Sequence, residues 1–223
     1  MRRIMVLNPK GGCGKSTIAT NLASYYAGKG GPAYLVDFDT QGSSSDWLDV
    51  RPESAPTVKR GMADYKEFLN PDSTGAMIMD APAGVHGKRL KQYVKRSKHL
   101  IIPVLPSPMD MRATARFIEE LLLECGVSRG GTGIAVVANR VREYTRIYQN
   151  LERFLNSLSI PFITSLRDTQ NYIRAAQKGL GIFELAPYEV KQDIEQWRPL
   201  LEWLDSSDAL PAEEKAASAD ISL

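Results

Sequence analysis

Lys10-Gly11-Gly12-Cys13-Gly14-Lys15-Ser16-Thr17 follows a short apolar run, Ile4 to Leu7, and precedes a long amphipathic stretch. Strand, glycine-rich turn and helix in that order are what a phosphate-binding loop requires. Gly11, Gly12 and Gly14 lack a Cβ, so the chain can turn sharply and aim successive backbone N–H groups into one concavity. The helix that follows adds the positive end of its dipole. A triphosphate fits such a cradle. In the general P-loop arrangement the lysine, here Lys15, reaches the β and γ phosphates, and the hydroxyl, here Ser16, ligates Mg²⁺.

The spacing departs from the ordinary Gly-x-x-x-x-Gly-Lys-Ser/Thr pattern, because Pro9 stands where its first glycine belongs and Lys10 opens the loop. Lys-Gly-Gly-x-Gly-Lys-Ser/Thr resembles the deviant Walker A sequence of the ParA/MinD family. The resemblance implies an ATPase that forms a sandwich homodimer with ATP, each Lys10 reaching the nucleotide of the other subunit. A second cation on the γ-phosphate would stabilise the charge that spreads during transfer. It further implies that Gly11, Gly12, Cys13, Gly14, Lys15, Ser16 and Thr17 contact nucleotide, with Lys10 and Lys15 catalytic. Cys13 occupies the family's variable position.

Three carboxylates end apolar runs, where ligands of parallel sheets bind. Val36-Asp37-Phe38-Asp39-Thr40-Gln41-Gly42 resembles the family's first switch, although Thr40 replaces its usual proline. By that resemblance Asp39 orients the attacking water and Asp37 lies near the Mg²⁺ shell. An Asp at a strand end can also merely hold a turn, and for Asp37 that alternative stays open. Ala76-Met77-Ile78-Met79-Asp80, followed by Ala81-Pro82-Ala83-Gly84, resembles the Walker B strand and second switch, with Asp80 a metal ligand and Gly84 a pivot. His86 reads as an ordinary loop residue. Further on, Val136-Val137-Ala138-Asn139-Arg140-Val141 resembles the strand whose Asn contacts adenine, and the stretch from Thr164 to Gly179, including Arg167, resembles the segment beside the base and dimer interface. An amide offers adenine both a donor and an acceptor, which suits Asn139.

Alternating apolar runs and amphipathic stretches predict an α/β fold of the P-loop NTPase kind, three layers with a mainly parallel sheet flanked by helices on both faces. Strands are expected at Arg3 to Leu7, Ala33 to Phe38, Ala76 to Asp80, Leu100 to Val104, Ile134 to Asn139 and Pro161 to Ile163. Helices are expected at Lys15 to Lys29, Lys88 to Arg96, Arg112 to Glu124, Thr145 to Ser157, Thr169 to Lys178 and Val190 to Leu204, with Asp110 and Asp168 as caps. Val50 to Thr74 is the loosest connection, with one short helix near Asp64 to Leu69. One ATPase domain over residues 1 to 204 and an acidic, disordered tail over 205 to 223 are expected.

The chain has 223 residues, 43% of them hydrophobic and 24% charged, enough for a substantial core. No apolar run is long enough to span a bilayer, and Met1-Arg2-Arg3 leads into a strand without signal-peptide anatomy. Cys13 and Cys125 form no disulfide framework, which suits the cytoplasm. In the last nineteen residues Asp205, Asp208, Glu213, Glu214 and Asp220 oppose Lys215 alone. The net charge of +2 therefore divides into −4 there and +6 in the body. A basic body favours a polyanion.

Together these readings point to a ParA-type ATPase, cytoplasmic and nucleoid-associated, that binds DNA without sequence preference when ATP-bound. A ParB-like or McdB-like adaptor would trigger hydrolysis where a cargo sits, with a chromosome, a plasmid or a carboxysome as candidate cargo. Residues 80 to 86 and 170 to 176 are similar to the carboxysome-positioning (McdA) branch of the family. Basic clusters lie at Arg140, Arg142, Arg146 and Arg153, at Arg167, Arg174 and Lys178, and in the acid-free run from Lys88 to Lys98. A MinD-like membrane ATPase would need a basic amphipathic C-terminal helix, which this acidic tail lacks. A metabolic ligase of the cobyrinate or dethiobiotin kind shares the loop but does not explain Lys10, and a module without hydrolysis does not explain Asp39 and Asp80.

Overall fold

The protein is described by a computed structural model over residues 1–61, 74–127 and 131–206. Strands β1 (Arg2–Val6), β2 (Ala33–Asp37), β3 (Val58–Arg60), β4 (Ala76–Asp80), β5 (His99–Val104), β6 (Gly133–Val141) and β7 (Phe162–Arg167) form one sheet. The order is β3-β2-β4-β1-β5-β6-β7, and every pairing is parallel. Such strands need covering on both sides, hence their continuous apolar sequences. The five residues of β4 are all buried.

Period-two alternation divides the core. Met5, Met77, Met79 and Leu100 face α3 (Gly87–Arg96), α4 (Pro108–Glu124) and α5 (Arg146–Asn156) through Leu90, Phe117 and Leu151. Ile4, Val6, Ile78 and Ile101 face α1 (Lys15–Gly28) and α7 (Pro187–Ser206) through Ile18, Leu22, Trp197 and Leu200. Each of these fully buried side chains contributes about 1.5–3 kcal/mol of transfer free energy, so truncating Ile78 to Ala would cost roughly 2–5 kcal/mol. Because β1 sits between β4 and β5, the chain winds outward in both directions from it, and the crevice beyond its carboxyl end is where such sheets bind ligands.

Several expectations need correction. α2 (Ser43–Asp49) is not among the expected helices, and β3 falls within the stretch from Val50 to Thr74 expected as the loosest connection. Three serines give α2 little intrinsic helicity, but Trp47 is buried and donates to the Leu180 carbonyl, and Asp37 accepts from the Ser45 N–H at the helix start. β3 is three residues paired to β2, with only Val58 buried. α4 begins at Pro108, not Arg112, because a proline at the first helical position fits; Ser107 holds the cap position and Asp110 lies inside the first turn. Asp168 is not a cap either. It pairs with Arg142 at 2.8 Å, and Thr169 caps α6 (Gln170–Gln177) by accepting from Asn171. α7 starts three residues earlier than expected and runs to Ser206; its Asp205 bonds Lys29 at 2.8 Å. The helix expected near residues 64 to 69, and the tail from residue 207, lie outside the described residues.

Candidate functional site

At the end of β1, Asn8 is buried and donates to the Pro103 carbonyl on β5, while its Oδ1 accepts from the Lys10 N–H at 2.9 Å. The loop is thereby fixed at its entrance. Gly12 and Gly14 take φ of 76° and 93°, which L side chains rarely adopt, and α1 starts with no side-chain cap and no acid in its first turn. Its first N–H groups are left to an outside acceptor. The Lys15 ammonium, on a side chain nearly buried, donates to the Lys10 carbonyl at 3.0 Å. Cys13 is buried, its thiol turned to the same carbonyl and pushed up in pKa by burial.

Gly11, Gly12, Gly14, Lys15, Ser16 and Thr17 line a cavity of about 400 Å³, joined by Asp39 and Gln41 of the loop after β2, by Ser43 at the start of α2 and by Ala83 of the loop after β4. Lys10, although in the same loop, is not part of this lining. Asp39 accepts from the Gln41 N–H, which shapes the turn and leaves its second oxygen for other partners. Both Asp37 oxygens accept backbone N–H groups, from Asp39 and Ser45, so Asp37 holds the turn.

Asp80 is different. It faces Asp37 in register across β2 and β4, is 1% exposed, and neither carboxylate oxygen makes a hydrogen bond of ordinary geometry. Burial pushes its pKa up to about 6, while the nearby Ser16 and Ser44 hydroxyls and Lys15 work against the rise. A buried carboxylate with open lone pairs beside two hydroxyls fits a divalent oxygen-seeking cation, Mg²⁺ foremost.

Beyond Asp80 the chain returns to the phosphate loop, since the Gly84 N–H donates to the Pro9 carbonyl at 2.9 Å with Gly84 at φ 68°. His86, expected to be an ordinary loop residue, bonds Glu120 of α4 at 2.7 Å, and the other Glu120 oxygen accepts from the Gly87 N–H at the start of α3. Burial tends to raise the Glu120 pKa, but Gly87 and His86 outweigh it and hold the carboxyl below its usual value.

A second cavity, about 360 Å³, adjoins the first and shares Thr17 and Arg140 with it. Asn139, Arg167, Tyr172 and Gln177 contribute walls of mixed polarity. Arg167 is held by Asp193 of α7, a fully buried carboxylate that also accepts from Asn171. Asp193 raises the guanidinium pKa further. The Asn139 amide nitrogen donates to the Cys13 carbonyl at 2.8 Å, so it braces the glycine loop as well as lining the second cavity. The sequence gives Arg140 no site role beyond its place beside Asn139 and in a basic cluster, names Gln41 only within the first-switch stretch, and does not single out Ser43 or Ser44; adjacency to Asn139 and to that stretch is the available signal.

Residues 4–182 match the family described as the CobQ/CobB/MinD/ParA nucleotide binding domain. The chain is 28% identical over 189 residues to a "Maintenance of carboxysome distribution protein A" from Halothiobacillus neapolitanus, covering 82% of this chain and 87% of that one. A protein of the same description from Gloeobacter kilaueensis is 27% identical over 214 residues, covering 92% and 94%. Among solved structures, a Cyanothece McdA–ATP complex superposes with a TM-score of 0.65 at 16% identity, covering 95% of this chain and 97% of that one. The fold is shared at that distance. With the matched residues spanning both cavities, the chain belongs to the CobQ/CobB/MinD/ParA family of nucleotide-binding domains.

Proposed function

We propose that this protein is a ParA-type positioning ATPase that cleaves ATP to ADP and phosphate as a timer. The observation that carries the reading is the junction of a phosphate cavity and a base cavity at Thr17 and Arg140, with the open carboxylate of Asp80 beside them. Loop N–H groups and Lys15 bind the β and γ phosphates. A magnesium ion held by Asp80 and Ser16, with Asp37 behind them, would neutralise phosphate charge. Asp39 orients the attacking water, and no covalent protein intermediate is needed. Lys10, absent from its own chain's cavity lining, acts on the nucleotide of a second copy. Asn139 and Arg167 border the adenine.

Nucleoid DNA is the partner of the ATP-bound dimer. In two basic clusters, carboxylates meet much of the charge: Arg142 has Asp168, Arg167 has Asp193 and Arg174 has Glu189. On α3 and just beyond it, Lys88, Arg89, Lys91, Lys95 and Lys98 are exposed, and among the described residues their one ion pair is Lys91 to Glu124 at 4.0 Å. Leu90, Tyr93 and Val94 of α3 are buried in the core, leaving no apolar face to insert in lipid, so phosphate backbone suits this surface better than a membrane. Two relatives described as carboxysome distribution proteins favour a carboxysome as the cargo, and an McdB-like adaptor would then stimulate hydrolysis.

Retention on non-specific duplex DNA and on anionic liposomes, measured with ATP, a non-hydrolysable analogue and ADP across salt, tests the reading. ATP-dependent, salt-sensitive DNA binding is expected, lost in Lys15→Ala, prolonged in Asp39→Ala and weakened by charge reversal at Lys88, Lys91 and Lys95. Lys10→Ala should bind ATP but turn it over poorly. Liposome binding without DNA binding would favour a MinD-like activity instead.

A further inference from the structure

β6 carries one residue more than its partner strand at its carboxyl end. Ala138 pairs with Ser165 and Val141 with Arg167, so Asn139 and Arg140 together stand opposite Leu166. The surplus is absorbed at Arg140, whose φ of 51° is the only positive value on a non-glycine residue among those described. Its Cβ disfavours that conformation, and bulges of this kind re-aim side chains beside functional sites. Here the effect is visible. Ala138 and Val141 are buried in the core, whereas Arg140 is exposed and lines both cavities. Its neighbours Arg142 and Arg167 are engaged by Asp168 and Asp193, but among the described residues no carboxylate pairs with Arg140.

We propose that the bulge presents the Arg140 guanidinium to the α-phosphate of the bound nucleotide, at the waist where the ribose passes from one cavity to the other. The inference rests on the nucleotide reading of the site and adds a residue to it. The glycine loop and Lys15 serve the terminal phosphates, and Asn139 and Arg167 border the base. The α-phosphate lies between these groups, where Arg140 is the cation shared by both cavities. A guanidinium offers a planar fork of donors to phosphate oxygens, and its stem can cover the sugar. Arg140 thus distinguishes nucleotides from nucleosides.

The test compares adenosine, AMP and ADP by displacement of a fluorescent ATP analogue from the full chain. Arg140→Gln should weaken AMP and ADP by about tenfold, the scale of one charge-assisted hydrogen bond, and leave adenosine unchanged. Arg140→Lys, which keeps the charge but not the fork, should recover only part of the loss. Arg140→Gly keeps the bulge, since glycine adopts positive φ freely, and should lose as much as Arg140→Gln. Equal AMP affinity in Arg140→Gln and wild type would overturn the assignment while leaving the nucleotide site intact. So would wild-type affinity in Arg140→Gly, which would make the backbone rather than the guanidinium the determinant. A wild-type protein that binds none of the three ligands would remove the nucleotide reading itself.

Discussion

The Asn139 amide donates to the Cys13 carbonyl across 2.8 Å, joining the end of β6 to the middle of the phosphate loop over 126 residues of chain. A Cβ on Gly14 would come within 2.1 Å of the same amide nitrogen, so this glycine answers both to its φ of 93° and to the close approach of Asn139. The loop is therefore shaped from outside as well as by its own glycines.

Removing that brace should be felt at the loop. Asn139→Ala leaves the Cys13 carbonyl without its donor and should cost about 1–3 kcal/mol. Asn139→Asp, which sets a carboxylate against a carbonyl oxygen, should be worse. Thermal melting and ADP titration would both register the change, with weaker nucleotide binding in each variant. An Asn139→Asp protein with wild-type melting and affinity would show that the contact carries no strain or energy.

Asp80 should destabilise the metal-free protein. Its folded pKa, about 6, lies above the ordinary value of 3.8, so between those values the folded state holds the proton more tightly than the unfolded state. Stability therefore falls as pH rises from about 4 to about 6 and levels off above, a loss on the order of 3 kcal/mol. Asp80→Asn should raise the melting temperature without Mg²⁺ at neutral pH, by roughly 5 °C, flatten that pH dependence, and abolish stabilisation by Mg²⁺ with nucleotide. A lower melting temperature at neutral pH would mean that the carboxylate is already satisfied.

Arg51 locks the connection after α2 to the segment after α6. Its side chain, 5% exposed, forks onto Glu184, donates to the Gly179 and Pro56 carbonyls and stacks 5.0 Å from the Trp47 ring. Arg51→Ala leaves the Glu184 carboxylate with only the Gly181 N–H and no countercharge, and should cost about 3–5 kcal/mol in urea unfolding. Lysine lacks the fork and should restore little. Gly179→Ala should be comparably harmful, for its Cβ would meet the Arg51 backbone at 2.5 Å and φ is 63°. Since Ala176 and Gln177 line the base cavity just before this lock, ADP affinity should fall along with stability. A loss under 1 kcal/mol in Arg51→Ala would deny the lock its importance.

Legibility in the sequence followed the range of the forces involved. β4 stands where Ala76-Met77-Ile78-Met79-Asp80 was read, and α1 agrees to one residue, because a continuous apolar run and a glycine-bounded amphipathic stretch carry their own signal. α2 does not: Ser43-Ser44-Ser45 carries little intrinsic helix signal, and the helix exists through the Asp37 carboxylate and the burial of Trp47. In the site, the loop residues and Asp39, singled out by resemblance, come to line one cavity, whereas the anchoring of Glu120 on His86 and Gly87 had no signal in the sequence.

The order of strand, glycine loop and helix, the apolar runs and the acids that end them are properties of neighbouring residues, and the amino-acid sequence alone determined them. Tertiary packing decided the rest. It turned both oxygens of Asp37 to the backbone and left those of Asp80 open, tied Asn139 to Cys13, and bulged β6 so that Arg140 borders two cavities. The physical reason is that a carboxylate's hydrogen-bond partners and a strand's register depend on groups brought together only when the sheet assembles, and no local pattern encodes which neighbour will arrive.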